Sequence, residues 1–256
     1  MKDCIIRTEK LCKSFSNGGL QQHVLKNMDL EIYKGDFTVI MGNSGSGKST
    51  LLYALSGMDL PTMGNVWING EEISGKSNDE LALLRRKSCG FVFQSMYLLE
   101  NMNVLDNVMA AGLLVSRDKK KVYKRAVEKL EQLGLSKEDF GKFPNQLSGG
   151  EKQRVAIVRA IINEPEILFA DEPTGALNSA SGMQVLSELG HLNEWGQSIV
   201  LVTHDIKTAL RGNRILYVRD GNICGEIALG KYEEKNTGEK EQRHKKLSAF
   251  LAQMGW

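Results

Sequence analysis

Residues 42 to 50 form a glycine-rich run whose residue types suit phosphate binding. Glycines lack a Cβ, so several backbone N–H groups can converge on phosphate oxygens. A lysine in such a run reaches the terminal phosphates, and the hydroxyl after it can ligate Mg²⁺. The run reads Gly42, Asn43, Ser44, Gly45, Ser46, Gly47, Lys48, Ser49 and Thr50. We therefore expect it to bind a nucleoside triphosphate; the alternative is a glycine-rich turn without a ligand.

The residues on either side of this run supply the context that phosphate binding needs. Phe37 to Met41 is a short apolar run that predicts a buried strand, and Ser49 to Leu55 has the pattern of a helix. A strand, a glycine loop and a helix in this order place the positive end of the helix against the phosphates.

Two more apolar strands end in side chains that can do chemistry. Residues 167 to 170 lead into Asp171 and Glu172, and residues 200 to 203 lead into His204. A carboxylate at a buried strand end needs a partner, and Mg²⁺ is one. We expect Asp171 to reach Mg²⁺, Glu172 to polarise the attacking water and His204 to hydrogen-bond the γ-phosphate or that water. Solvated acids and a structural histidine are the alternatives. Glu172, His204 and Lys48 are the predicted catalytic residues.

A second glycine-rich segment distinguishes this chain from most phosphate-loop proteins. Residues 147 to 154 read Leu-Ser-Gly-Gly-Glu-Lys-Gln-Arg. With this segment the chain resembles the ATP-binding cassette (ABC) ATPases over residues 2 to about 229. The resemblance implies that ATP binds between the first loop of one copy and the signature of a second copy. The signature residues are Ser148, Gly149, Gly150 and Glu151, with Glu at the place where Gln is commoner.

Further positions match the family's motifs and take their roles from the resemblance. Phe15 matches the aromatic that stacks on adenine, although a core aromatic is the alternative. Gln94 matches the glutamine that touches Mg²⁺, so that the implied metal ligands are Ser49, Gln94 and Asp171. Asp171 and Glu172 match the second ATPase motif. Asn178 departs from the pattern, because the family usually has Asp there; the amide keeps its hydrogen-bonding capacity but loses the charge.

The expected fold is α/β: a phosphate-loop core with a mixed sheet flanked by helices, an antiparallel β part and an inserted helical subdomain. We expect residues 1–93 and 155–229 to form the ATP-binding core and residues 94–154 the helical subdomain with the signature. Residues 230–256 form a charged, amphipathic extension. Its last apolar residues lie on one helical face, and we expect them to dock on protein: Leu247, Phe250, Leu251 and Met254.

The resemblance implies a subunit that powers a separate membrane permease as an ATP-bound dimer. Residues 84–87, 90–94 and 171–177 favour the bacterial group with macrolide-export, lipoprotein-release, cell-division and peptide-resistance ATPases, and within it antimicrobial-peptide resistance. A soluble ABC ATPase of translation or DNA repair is the alternative from another class. The predicted permease contact follows Gln94 and includes apolar residues that the helical core could also use: Met96, Tyr97, Leu98, Leu99, Met102 and Val104.

Composition sets limits on partners and location. The chain has 256 residues and a net charge of +2, so nothing indicates a bulk electrostatic grip on nucleic acid. No apolar run approaches the ~18 residues that span a bilayer, and no signal pattern is recognisable. We expect attachment to the cytoplasmic face of the membrane only through the permease. The four cysteines show no metal-ligand spacing and are expected to be free thiols.

Overall fold

The computed structural model describes residues 3–18, 20–233 and 237–256. The chain divides into two compact units, of which the first contains Met1–Leu81 with Asn193–Trp256 and the second contains Ala82–Leu192. The strands are β1 (Cys4–Asn17), β2 (Leu20–Tyr33), β3 (Phe37–Met41), β4 (Met63–Ile68), β5 (Glu71–Glu72), β6 (Cys89–Phe93), β7 (Ile167–Asp171), β8 (Ser198–Thr203), β9 (Arg214–Arg219) and β10 (Asn222–Ala228). The helices are α1 (Lys48–Leu55), α2 (Asn78–Ser88), α3 (Val104–Leu113), α4 (Lys119–Gln132), α5 (Gly149–Ile161), α6 (Ser179–Glu194), α7 (Ile206–Ala209) and α8 (Thr237–Gln253).

The first unit contains an antiparallel sheet and a set of parallel strands. The antiparallel sheet has the order β2-β1-β4-β5. In the parallel set, β3 lies between β8 and β9 and is parallel to both. Every residue of β3 and β8 is buried, as expected for parallel strands covered on both faces. The polar groups that follow these strands therefore emerge from a rigid core.

The β9–β10 hairpin turns through two residues, as the Asp220-Gly221 pair predicts. Arg219 pairs with Asn222, and both residues between them have positive φ, +50° and +78°. Two left-handed residues define the turn whose twist matches antiparallel strands, and Asp-Gly is a preferred sequence for it.

The second unit joins a parallel strand pair to helices. Strands β6 and β7 are parallel, and β7 is buried up to its last residue. Helix α4 buries Val122, Ala126 and Leu130, which lie on one helical face because they are four residues apart. The predicted domain boundaries remain a prediction, and the compact units divide the chain at other residues.

Several element boundaries differ from the sequence-based expectation. Helix α1 begins at Lys48 rather than Ser49, and β4 begins at Met63, two residues before the run of residues 65 to 68 whose pattern predicts a strand. Helices α2 and α6 were not predicted. The sequence Asn17-Gly18-Gly19 also predicts a turn, and Gly19 lies outside the described residues.

Two expectations about the whole chain can be compared with the structure. Across residues 3–18, 20–233 and 237–256, no helix is both long and apolar enough to cross a bilayer. The four cysteines, Cys4, Cys12, Cys89 and Cys224, are free thiols, as expected.

Candidate active site

The phosphate-binding loop of the first unit follows β3 and leads into α1. A Cβ on Gly42 would lie 2.1 Å from the carbonyl oxygen of Val218, and a Cβ on Gly47 would lie 3.0 Å from that of Val24. Both glycines have positive φ, +156° and +97°. A larger residue would therefore push the loop away from the strands that support it, so these two glycines fix its position.

Lys48 holds the loop in a shape suited to an anion. It is the first residue of α1 and only 8% exposed. Its Nζ donates to the carbonyl oxygens of Gly42 and Asn43, both at 2.8 Å. The ammonium group thus lies across the loop, at the positive end of a helix, where phosphate oxygens could replace the carbonyl partners.

His204 lies beside this loop in the same unit. Met41 pairs with Thr203 in the β3–β8 register, so the residues that follow, Gly42 and His204, leave the sheet at the same edge. The His204 side chain is exposed. Asp205, the next residue, caps α7 by accepting a hydrogen bond from the N–H of Thr208 at 2.7 Å, which fixes the backbone that carries the histidine.

Phe15 lies on β1 with 45% of its surface exposed, so the alternative of a core aromatic is wrong. The Nζ of Lys13 lies 5.1 Å from the centroid of its ring. Lys13 is in turn fixed by an ion pair with Asp59 at 2.5 Å. An exposed, supported ring of this kind offers a face on which a base can stack; adenine stacking remains a prediction.

In the second unit, the predicted metal and water-activating groups meet at one edge of the β6–β7 pair. Phe93 is opposite Asp171, so Gln94 and Glu172 both follow that edge directly. A Cβ on Gly175 would lie 2.8 Å from Nε2 of Gln94, which places this amide against the chain that follows Glu172. The structure therefore brings together the three polar side chains that the sequence predicts for the second unit.

Glu172 adopts an uncommon backbone conformation. Its φ is +46°, and its carbonyl oxygen accepts a hydrogen bond from the N–H of Gly175 at 3.0 Å. A non-glycine residue at positive φ costs energy and persists only where its surroundings enforce it. The chain therefore turns sharply at Glu172, directly after Asp171 ends β7.

The signature segment forms the N-terminus of α5. The Ser148 side chain accepts from the N–H of Glu151, and the N–H of Ser148 donates to the Glu151 carboxylate at 2.7 Å. This reciprocal capping box satisfies two backbone donors. Hydrogen bonds from the side chain and backbone of Ser148 lower the pKa of Glu151. Ser148 and Gly149 are exposed, so the start of a well-ordered helix faces outward.

Asn178 has a structural role that explains why an amide is accepted there. Its Oδ1 accepts a hydrogen bond from the N–H of Ser181 at 2.9 Å, which caps the start of α6. Asn and Asp are about equally good at this position. The exchange of a carboxylate for an amide therefore keeps the cap and removes a charge from the helix N-terminus.

Sequence reasoning missed two polar residues of α5 that hold the segment around Gln94. Gln153 is fully buried, and its Nε2 donates to the carbonyl oxygens of Phe93 at 3.2 Å and Pro173 at 2.8 Å. Arg159 donates to the carbonyl oxygens of Met96 and Tyr97, both at 2.5 Å. Gln153 shares a helical face with apolar residues. A polar residue on such a face indicates a buried hydrogen bond, and this was the signal in the sequence.

The segment after Gln94 is strained and partly exposed. Met96 and Tyr97 both have positive φ, +57° and +49°. Tyr97 is 65% exposed, Leu99 50% and Met102 37%, whereas Met96 and Leu98 are half-buried. Val104 is 1% exposed and belongs to the helical core, so its inclusion in the predicted contact surface was wrong.

The residues predicted to bind Mg²⁺ have suitable donor atoms. No cluster of three or more His, Cys, Asp or Glu that could hold a metal occurs in the part of the chain that the structure describes. The predicted set is a hydroxyl, an amide and a carboxylate, from Ser49, Gln94 and Asp171. Oxygen donors of this kind fit Mg²⁺, which is usually bound by one or two carboxylates together with substrate phosphates and water.

Comparison with known proteins places these motifs in a family. The family model described as ABC transporter matches residues 25–175. The uncharacterized ABC transporter ATP-binding protein MJ1508 of Methanocaldococcus jannaschii is 45% identical over 219 residues, 86% of this chain and 97% of that protein. The lipoprotein-releasing system ATP-binding protein LolD of Aquifex aeolicus is 44% identical over 87% of this chain and 97% of its own length.

Two further comparisons concern a longer relative and a solved structure. The macrolide export ATP-binding/permease protein MacB of Agrobacterium fabrum is 43% identical over 88% of this chain, and the match spans 35% of MacB. The ATP-binding cassette MJ0796, solved as a post-hydrolysis dimer bound to ADP and Pi, has a TM-score of 0.82. It is 40% identical, and the match covers 89% of this chain and all of MJ0796. The chain belongs to the ABC transporter family and is an ATP-binding and ATP-hydrolysing subunit of a transporter.

Proposed function

We propose that two copies of this chain close head to tail around ATP and so drive a permease on another chain. The observation that carries the proposal is the exposed, capped N-terminus of α5. Backbone N–H groups and the positive end of a helix bind anions. The chain thus has a second helix start that can bind phosphate, in addition to that of α1. It has a function if it closes the ATP site of another copy. The MJ0796 cassette was solved as a dimer, which supports the same arrangement.

Different residues have separate roles in ATP hydrolysis. Lys48 and the loop N–H groups orient the phosphates, which is the main contribution to phosphoryl transfer. Glu172 accepts a proton from the attacking water or positions it, a contribution of ~10²–10⁴-fold. His204 donates a hydrogen bond to the γ-phosphate, or forms one with this water. Ser148 and Gly149 of the second copy donate to the γ-phosphate, so that loss of this phosphate weakens the dimer.

Mg²⁺ is the metal that we propose for this site, held by Ser49, Gln94 and Asp171. When bound, it would neutralise charge on the phosphate oxygens. Gln94 lies between the catalytic edge of β6–β7 and the exposed segment that follows it. It is therefore suited to report the state of the nucleotide to that segment.

We place the permease contact on the residues after Gln94, at the cytoplasmic face of the membrane. Tyr97, Leu99 and Met102 expose apolar surface, and the Arg159 hydrogen bonds hold the segment in one conformation. Exposed apolar residues on an ordered segment are typical of a protein-binding surface. Attachment to the membrane through the permease follows from this contact.

Antimicrobial-peptide resistance or export is our proposal for the transported class. It rests on the resemblance of residues 84–87, 90–94 and 171–177 to the bacterial group that includes the peptide-resistance branch. Lipoprotein release is the second candidate, favoured by the 44% identity with LolD over 97% of that protein. The two differ in the membrane subunit and in the substrate that stimulates hydrolysis.

A pull-down from detergent-solubilised native membranes with ATP and vanadate tests the proposal. Peptide mass spectrometry should identify a permease with few spanning helices and a large extracytoplasmic domain. In the reconstituted complex, antimicrobial peptides and not lipoproteins should stimulate ATP hydrolysis. Stimulation by lipoproteins alone would favour the second candidate, and recovery of ribosomal or DNA-bound proteins without a permease would contradict the transporter reading.

A matched pair of variants tests the contact surface. Leu99→Glu places a charge on the proposed surface and should abolish permease recovery without changing ATP binding. Leu83→Glu is the control, because Leu83 is 54% exposed but lies on α2. Equal loss of the permease with both variants would contradict the proposed contact.

A further inference from the structure

The C-terminal helix α8 packs closely on the β9–β10 hairpin of its own unit. Leu247, Phe250 and Leu251 are 0%, 8% and 1% exposed. A Cβ on Gly225 of β10 would lie 2.9 Å from Sδ of Met254 and 3.2 Å from Cε2 of Phe250. The glycine therefore leaves just enough room for the helix, and the predicted docking on protein occurs on the chain's own first unit.

Arg243 anchors α8 through a buried guanidinium. The side chain is 4% exposed and makes hydrogen bonds at two places along the chain. Within the described part of the chain it donates to the backbone carbonyl oxygens of Leu210, Gly212, Leu229, Gly230 and Lys231. The first two directly follow α7, the helix that begins after His204 and Asp205. Arg243 thus ties α8 to the segment that carries the histidine.

The last residues of the chain contact the strand that ends next to the phosphate-binding loop. The carbonyl oxygen of Met254 accepts a hydrogen bond from Nη1 of Arg219 at 2.8 Å. The Trp256 ring meets the buried ring of Tyr217 edge-on, with centroids 6.1 Å apart and an interplanar angle of 83°. Edge-to-face pairs of this kind stabilise the contact beyond the burial of apolar area.

The β9–β10 hairpin in turn supports the phosphate-binding loop. The N–H of Gly221 donates to the carbonyl oxygen of Ser46 at 3.3 Å. Gly42 packs against the carbonyl oxygen of Val218, and Met41 is opposite Tyr217 in the β3–β9 register. The same strand therefore contacts α8 on one side and the start of the loop on the other.

We propose that α8 is a brace whose docking is coupled to nucleotide binding, with Arg243 and Trp256 as positioning residues. The inference rests on the proposed binding of ATP by the phosphate-binding loop. A docked helix holds the hairpin and the α7 segment in the arrangement that suits the nucleotide. Coupling between two sites is reciprocal, so bound nucleotide stabilises the docked helix by the same factor by which docking strengthens nucleotide binding.

Hydrogen exchange of the full-length chain, with and without saturating ADP, tests the coupling directly. Amides of α8 exchange through local opening, and we expect ADP to slow their exchange on the order of 5- to 10-fold, within the usual range for coupled sites. Unchanged exchange in α8, with residues 42–50 protected by ADP, would overturn the inference alone. No protection of residues 42–50 would mean that ADP does not bind there, and the proposed function would fail with it.

Variants at the two anchors provide the reciprocal test. Trp256→Ala should weaken ADP binding on the order of 5-fold, whereas Trp256→Phe retains an aromatic edge and should restore it. Arg243→Gln should have an effect at least as large, and Lys246→Gln is the control because Lys246 is exposed on the same helix. Faster exchange of α8 amides in Trp256→Ala or Arg243→Gln, with ADP affinity equal to that of Lys246→Gln, would show a merely structural helix and overturn the inference.

Discussion

Asn178 lacks the charge of the Asp that the family usually has at this position, but it keeps the capping role. The amide oxygen caps α6 through the N–H of Ser181, so the loss of the carboxylate usual in the family does not leave the helix uncapped. Without the acidic charge, however, the positive end of the α6 dipole is not compensated at this residue. The two effects can be separated by substitution.

Asn178→Ala removes the cap and should lower the free energy of unfolding by about 1 kcal/mol. Asn178→Asp keeps the cap, adds a charge at the helix N-terminus and should raise stability by about 0.3–1 kcal/mol at low ionic strength. Urea unfolding in low and high salt measures both. Equal stability of Asn178→Ala and the native chain would contradict the capping role.

The carboxylate of Glu151 in the signature should make the stability of the chain depend on pH. Because the hydrogen bonds from Ser148 lower its pKa from the usual 4.5, its contribution to stability is present above that value and is lost as the pH falls through the lowered pKa. Glu151→Gln retains the capping box without the titrating group. Thermal unfolding between pH 7 and pH 3 should show the native chain losing stability relative to Glu151→Gln as the solution becomes acidic. A constant difference across this range would count against the capping carboxylate.

Much of the site could be predicted from residue types at a fixed spacing. The contacts between residues far apart in the chain could not be predicted in this way. The run of residues 42–50 and the strand ends before Asp171 and His204 carry their chemistry in local sequence. Arg159 does not, because its acceptors on Met96 and Tyr97 lie about 60 residues earlier in the chain. No local sequence pattern predicts that this guanidinium binds two carbonyl oxygens so distant in the chain.

At the scale of elements, Arg159 joins the signature helix α5 to the segment that follows Gln94. Two hydrogen bonds from one guanidinium stabilise two consecutive left-handed residues. Since each left-handed residue costs about 1–2 kcal/mol, the segment should relax when the guanidinium is removed.

Arg159→Ala should therefore destabilise the chain by about 1.5–3 kcal/mol, the usual effect of losing hydrogen bonds to a charged group. Urea unfolding of the variant and of the native chain measures the difference. Equal stability of the two would contradict the described contact.

Strand β6 makes a second prediction at this scale. Burial raises the pKa of the Cys89 thiol to about 12, whereas Cys224 on β10 is exposed. The thiolate is the reactive form, so Cys89 should resist a thiol reagent at pH 8 until the protein unfolds, and Cys224 should react at once. Mass spectrometry of the labelled peptides distinguishes them. Rapid labelling of Cys89 in the folded chain would contradict the buried strand.

Some elements were predictable and others depended on tertiary packing. Strand β3 has the predicted bounds because its apolar run is continuous. Helix α2 buries only Leu81, so its apolar periodicity is weak, although Ser77 and Glu80 form hydrogen bonds typical of a helix start. Helix α6 contains Gly182 and Gly190, which lower helix propensity, and its buried apolar face stabilises it instead.

At the scale of the whole molecule, each compact unit contains some of the residues predicted to bind or hydrolyse ATP. The first unit contains the phosphate-binding loop, Phe15 and His204. The second contains Gln94, Asp171, Glu172 and the signature segment. The sequence predicted these motifs in order along the chain, but it did not predict where the compact units divide, because that depends on contacts between distant residues.

The proposed ATP-bound dimer is tested most directly by the mass of Glu172→Gln with and without MgATP, measured by size-exclusion chromatography with light scattering. This variant should bind ATP without hydrolysing it, so it should elute with ATP at twice the 28.4 kDa of one chain and without ATP as a monomer. Adding Ser148→Arg should abolish the dimer, because it blocks the signature. A variant that binds ATP and stays monomeric would contradict the proposed ATP-bound dimer.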